Sequence, residues 1–303
     1  MDGFRIPLGE WAVVAVDWVR DNLSWLLGAI STAVSWLVGS LADLLLNAPI
    51  VVVIVVAAAL AWLLRSWKFA IGTAVMFAVV LGVGQWVTAM QTLALVLVAT
   101  IIAVVIAVPL GILAARSDRF SAIIKPVLDL MQAMPGFVYL IPAIVFFSIG
   151  FVPGLVATVI FSLPPGVRLT ELGIRGVDSE TVEAGHAFGA TPGQILRGVQ
   201  LPLAMPTIMT GVNRVIMLAL SMAVIAGIAG APGLGMEIVR ALSTVNIASG
   251  VEAGLSLVIL AIYLDRLTSA LGDMRGQKWS LVRVISTRRA TAAASQRGLA
   301  QVA

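Results

Sequence analysis

From Met90 to Ala114 the chain carries no charged side chain. An α-helix rises 1.5 Å per residue, so this run alone can cross the ~30 Å hydrocarbon layer of a bilayer. It has company: Ala48–Leu64, Phe69–Val83, 135–165, Pro206–Gly230 and Gly250–Tyr263 are apolar too. Hydrophobic residues make up 60% of the 303 and charged residues 11%. A soluble domain carries about 25% charged residues, so the solvent for most of this chain is lipid. The fold class is therefore all-α and polytopic.

The run 135–165 is too long for one crossing, because a single helix there would reach roughly 45 Å. Gly150-Phe-Val-Pro-Gly154 in its middle predicts two short spans joined by a tight turn. Charge placement favours the same division. With two spans there, all the Lys and Arg except Arg5, Arg20, Arg240 and Arg214 fall on one side, out of 19. Cytoplasmic loops collect positive charge, so that side is inside. The count becomes about seven spans, with the N-terminus outside and the C-terminus inside. Arg214 falls within a span, close enough to Pro206 to reach the cytoplasmic edge.

Residues 8–46 are apolar but striped. Glu10, Asp17, Ser24 and Ser31 recur every seven residues, and Trp11, Trp18, Trp25 and Trp36 lie off the stripe. A narrow polar face with bulky aromatics elsewhere fits one or two amphipathic helices on the membrane surface. An ordinary span over 23–40 fits the same residues. The opening Met1-Asp2-Gly3 lacks the basic start of a signal peptide. The division expected is thus an interfacial segment over 1–46, two peripheral spans over 47–88, a core over 89–270, and a basic, solvated tail over 271–303.

Inside the core lies a polar island, residues 178–202. Asp178 suits a helix N-cap, followed by Glu180 and Glu183 at the positive end of the helix dipole. Gly189 suits a left-handed C-terminal residue. Thr191-Pro192-Gly193-Gln194 then reads as a capping box with proline at the first helical position. Two short helices with a sharp turn are predicted, the second adjusting at Leu201-Pro202. Ala184, Gly185, Ala187, Gly189 and Ala190 would allow a partner's backbone to come close. By chemistry alone the island is either such a dock or a plain hairpin between two spans.

The spacing goes further. Glu183-Ala184-Gly185, three residues, Gly189, nine residues, Val199, one residue and Leu201-Pro202 resembles the EAA loop of ABC importer permeases. Gly185 stands for the second Ala and Val199 for Ile. Thr92–Thr100, Pro109–Arg116, Met134–Pro142 and Ile216–Met222 are similar to the permeases of glycine betaine/proline (quaternary amine) importers. The resemblance covers about 45–270 and departs at Pro232, where Gly is usual. It implies that Glu183, Ala184, Gly185, Gly189, Val199, Leu201 and Pro202 couple the chain to a separate ABC ATPase subunit. It also implies an extracytoplasmic substrate-binding protein, a homodimer, and residence in the inner membrane of a prokaryote. Glycine betaine or proline betaine is the implied cargo.

Other functions fit less well. No Gly-x4-Gly-Lys-Ser/Thr loop is present, so ATP and Mg belong on the partner and no cofactor is expected on this chain. No Cys and one His make a metal site improbable on ligand chemistry. No catalytic residue is assigned. A nucleic-acid partner would need a basic face that the sequence does not offer. Acids within the spans are scarce, which argues against an ion-coupled secondary carrier. An ABC permease for another small solute, such a carrier, or a membrane scaffold are the alternatives. A quaternary ammonium is best held by aromatic faces, so Phe137 and Tyr139, with Met131, Met134 and Pro135 at a bend, are candidates for the translocation path.

Overall fold

The computed structural model describes residues 7–272. Those residues form α-helices and short 3-10 or π turns. The basic tail lies outside the described residues.

The N-terminal stripe becomes two helices, α1 (Leu8–Asn22) and α2 (Ser24–Asn47), broken at Leu23. Trp11, Trp18, Trp25 and Trp36 are all exposed, as aromatics at a lipid boundary should be. α2 also buries Val34, Val38 and Ala42, a stripe at four-residue spacing, and packs against the helix Trp86–Arg116, termed α5. It is long and apolar enough to cross a membrane.

Next come α3 (Ile50–Leu64) and α4 (Trp67–Gly82), packed together as a hairpin. Ser66 begins α4 by accepting the amide of Phe69 at 3.3 Å. The hairpin leans on the last helix through Phe77 and Tyr263, whose rings meet edge to face at 5.2 Å.

α5 leads into α6 (Asp118–Ala133), a 3-10 turn (Gly136–Tyr139) and α7 (Leu140–Phe147). The chain turns by 106° between α6 and the segment that follows. A second break at Ser148–Gly150 precedes α8 (Phe151–Arg175). Ser148 and Gly150 both take positive φ there, as the tight turn predicted inside 135–165 requires. α9 (Ser179–Ala187) and α10 (Pro192–Ile195) follow, then a π turn (Leu196–Gln200) and α11 (Leu201–Ala226). α12 (Leu234–Ser243) and α13 (Ile247–Gly272) end the described chain.

The helix count differs from the sequence expectation. Among the described residues, five helices are long and apolar enough to cross, or six if the bent α6–α7 pair is one span. The expected spans over 48–64 and 69–83 form helices of only 15 and 16 residues. The first half of 135–165 yields only the 3-10 turn and α7. Charged α6 supplies the rest of that bent pair, which apolarity alone does not reveal.

The centre of the molecule is α5, α8 and α11. Small residues set their spacing. A Cβ on Gly166 of α8 would lie 2.8 Å from the Ala107 Cβ of α5, and one on Gly211 of α11 would lie 3.0 Å from the Leu169 Cβ of α8. Lipid gives helices no hydrophobic reason to associate, so such close backbone packing holds them instead. The polar island runs directly from α8 to α11.

Candidate functional site: an exposed loop between the central helices

α9 starts as its sequence dictates. Asp178 accepts the Glu180 amide at 3.4 Å and the Thr181 hydroxyl at 3.1 Å. One of the helix's otherwise orphaned backbone donors is thereby satisfied, and the Thr181 hydroxyl bonds the same carboxylate. At the other end Gly189 sits at φ +80, the left-handed turn that releases the chain. Thr191 then accepts the Gln194 amide at 3.4 Å, while Gln194 Oε1 accepts the Thr191 amide at 2.8 Å. The capping box is complete, with Pro192 at the helix start.

The second helix is not short. α10, the π turn and α11 run on as one continuous helix from Pro192 to Ala229. The adjustment expected at Leu201-Pro202 falls earlier, in the π turn. Proline lacks an amide hydrogen and crowds the preceding turn, and a wider turn just before it relieves both problems.

This geometry divides the seven motif residues into two groups. Glu183, Ala184 and Gly189 are exposed on α9 and its turn, and Gly185 is half-buried beneath them. Val199 and Leu201 lie in the helix beyond and are half-buried, with Pro202 exposed. Leu201 packs on a cluster of Ile174, Leu196, Ala204 and Ile208, drawn from α8 and from the long helix. The first group forms a handle, and the second roots it between the two central helices.

Two residues outside the motif complete the handle. Phe188 is 92% exposed at the end of α9. An aromatic ring standing in water offers a partner apolar area worth about 2–3 kcal/mol on burial. Ile195, only 2% exposed, is the seat on which α9 rests: a Cβ on Gly185 would stand 3.3 Å from its Cγ1. The sequence marks Phe188 as a helix end, and its apolarity in a polar stretch is the signal that could have singled it out.

The candidate path residues gather at the bend. Tyr139 is buried against Phe161, and its hydroxyl donates to the Met131 carbonyl at 2.5 Å, closing the end of α6. Met134 packs near the same ring, whereas Pro135 and Phe137 are exposed. The loop after α11 also fits closely despite Pro232. Gly230 and Gly233 take positive φ, and the Leu234 amide donates to Thr92 Oγ1 on α5 at 2.8 Å.

Fold and site together define a multi-helix membrane component whose two central helices are joined by an exposed helical loop. The chain belongs to the family described as the binding-protein-dependent transport system inner membrane component, whose pattern matches residues 107–275. It is 46% identical over 267 residues to the glycine betaine/proline betaine transport system permease protein ProW of Escherichia coli (strain K12), covering 88% of this chain and 75% of that one. It is also 46% identical over 264 residues to the glycine betaine transport system permease protein OpuAB of Bacillus subtilis (strain 168), covering 87% and 94%. Among solved structures, an inward-facing conformation of the MetNI methionine ABC transporter shares the fold. There the TM-score is 0.56 at 23% identity, over 60% of this chain and 92% of that chain.

Proposed function

We propose that this chain is the permease subunit of an ATP-driven importer for glycine betaine, proline betaine or related quaternary amines. The observation that carries this reading is the α9–Gly189–α10 loop, capped at both helix starts and rooted in the helices that form the core. Its support on the substrate side is the naming of relatives at 46% identity.

In this reading α9 faces the cytoplasm and rests on an ATPase subunit, which holds ATP and Mg. Each chain offers one such loop, so two chains and two ATPase subunits form the working unit. Closure of the ATPase pair moves both loops and switches the spans between inward-open and outward-open states. A soluble binding protein delivers the solute from outside. Phe137, Pro135 and the methionines of the bend line the passage between the two chains. This chain makes and breaks no covalent bond.

Reconstitution into liposomes with its ATPase and binding protein tests the reading. The expected result is glycine betaine uptake that needs ATP and the binding protein. Uptake driven by an ion gradient without ATP would establish a secondary carrier instead. ATP-dependent uptake of a different solute only would move the substrate assignment.

A further inference from the structure

The carboxylate of Glu171 is buried near the end of α8, 4% exposed, four residues before that helix stops. It accepts the Ser121 hydroxyl at 2.7 Å, Lys125 Nζ lies at 3.3 Å and Arg175 Nε at 3.0 Å. Arg175 also reaches two other elements. Its Nη1 lies 2.7 Å from Asp118 of α6, and its Nη2 donates at 2.8 Å to the carbonyl of Ala114 in the last turn of α5. A guanidinium has the fixed fork to hold several partners at once. Asp118, Ser121 and Lys125 follow one another on one face of α6 at helical spacing.

Further along α6, Leu128 packs with Ala107 of α5 and Val167 of α8, and Asp129 pairs with Arg168. The buried residues of α6 are Ser121 and Leu128. Burying a carboxylate is costly unless it is paired and hydrogen-bonded, so such a group sets position more than it adds stability. At the far end of α6, Met131 accepts the Tyr139 hydroxyl across the bend. Gly136 in that bend is pressed against α11, where a Cβ would stand 2.7 Å from Met222 Sδ.

We infer that Glu171 and Arg175 form an ionic clamp that makes α6 and the end of α8 one rigid lever, carrying the stroke of α9 to the bend at Met134–Gly136. This rests on the importer reading. α9 begins at Ser179, four residues after the clamp's Arg175, so a push on α9 acts first on the end of α8. The clamp passes it to α6, and α6 passes it to the bend. Glu171 and Arg175 touch no solute and are positioning residues.

Two measurements on the full complex in proteoliposomes test the clamp. The first is solute taken up per ATP hydrolysed. Glu171→Ala is expected to lower that ratio by about tenfold or more while hydrolysis continues. Should that variant fail to assemble, Glu171→Gln and Asp118→Asn read the same ratio. An unchanged ratio in an assembled variant overturns the clamp. The second uses the absence of Cys in the natural chain. Asp129 and Arg168 form a separate exposed ion pair between the same two helices. Asp129→Cys with Arg168→Cys, joined by a short bis-methanethiosulfonate that forms a disulfide with each thiol and releases two sulfinates, is expected to keep uptake, because the helices never part. Uptake that stops on joining and returns on reduction overturns the lever. Failure of the importer reading looks different: the natural chain itself would show no ATP-driven uptake.

Discussion

Gly185 and Ile195 meet across the turn of the docking loop, so close that a Cβ on the glycine would sit 3.3 Å from Ile195 Cγ1. The contact joins α9 to the start of the long helix that contains α11. Gly185→Ala gains helix propensity of up to ~1 kcal/mol and asks Ile195 to yield by a few tenths of an ångström. Transport per ATP is expected to stay within about twofold of the natural chain. Gly185→Val adds bulk that Ile195 cannot escape and is expected to lower the ratio clearly, with Ile195→Val restoring part of it. Coupled uptake assays on the three variants check this.

Phe188 supplies the handle's apolar area. Phe188→Ala is expected to weaken association with the ATPase subunit by about 30-fold or more, equivalent to ~2 kcal/mol. Titration of detergent-purified subunits measures the change. An affinity unchanged by the substitution would remove Phe188 from the interface.

Gly189 holds φ +80, where an L side chain is strained. Gly189→Val is expected to distort the turn at a cost of about 1–3 kcal/mol and to uncouple hydrolysis from uptake. Gly189→Asn tolerates that backbone better and is expected to be milder. Glu183→Lys reverses the charge of an exposed residue midway along α9 and is expected to reduce coupling without reducing membrane insertion. Membrane fractionation alongside the uptake assay separates the two effects.

The fold was legible wherever one residue type decides the backbone. Asp178, Gly189 and the Thr191–Gln194 box are such positions, and each occupies its expected conformation. Helix extents were harder to read, because apolarity reports burial or lipid contact without saying which. α3 and α4 are apolar but short, and α2 is striped yet packs on α5. The clamp escaped notice for another reason. Glu171 and Arg175 are ordinary charges at a span's end, and only the fold brings them to Asp118, Ser121 and Lys125. The π turn was likewise invisible, since Pro202 signals an adjustment but not the turn that absorbs it.

The side on which the N-terminus lies depends on α1 and α2. A surface position for both keeps the proposed outside N-terminus, and a crossing by α2 reverses it. Gly9→Cys in a chain otherwise free of Cys is expected to react with a membrane-impermeant maleimide added to intact cells. Labelling only after the membrane is opened would show that α2 crosses.

The central claim is that the loop carrying Glu183 and Phe188 grips an ATPase subunit inside the cell. Ala184→Cys, exposed on the handle, tests it through thiol crosslinking in membranes that contain both subunits. The account predicts a covalent adduct with the ATPase subunit, at a yield that changes when ATP is added. No adduct at any position from Ala184 to Ala190, or labelling of that cysteine from outside the cell, would contradict it.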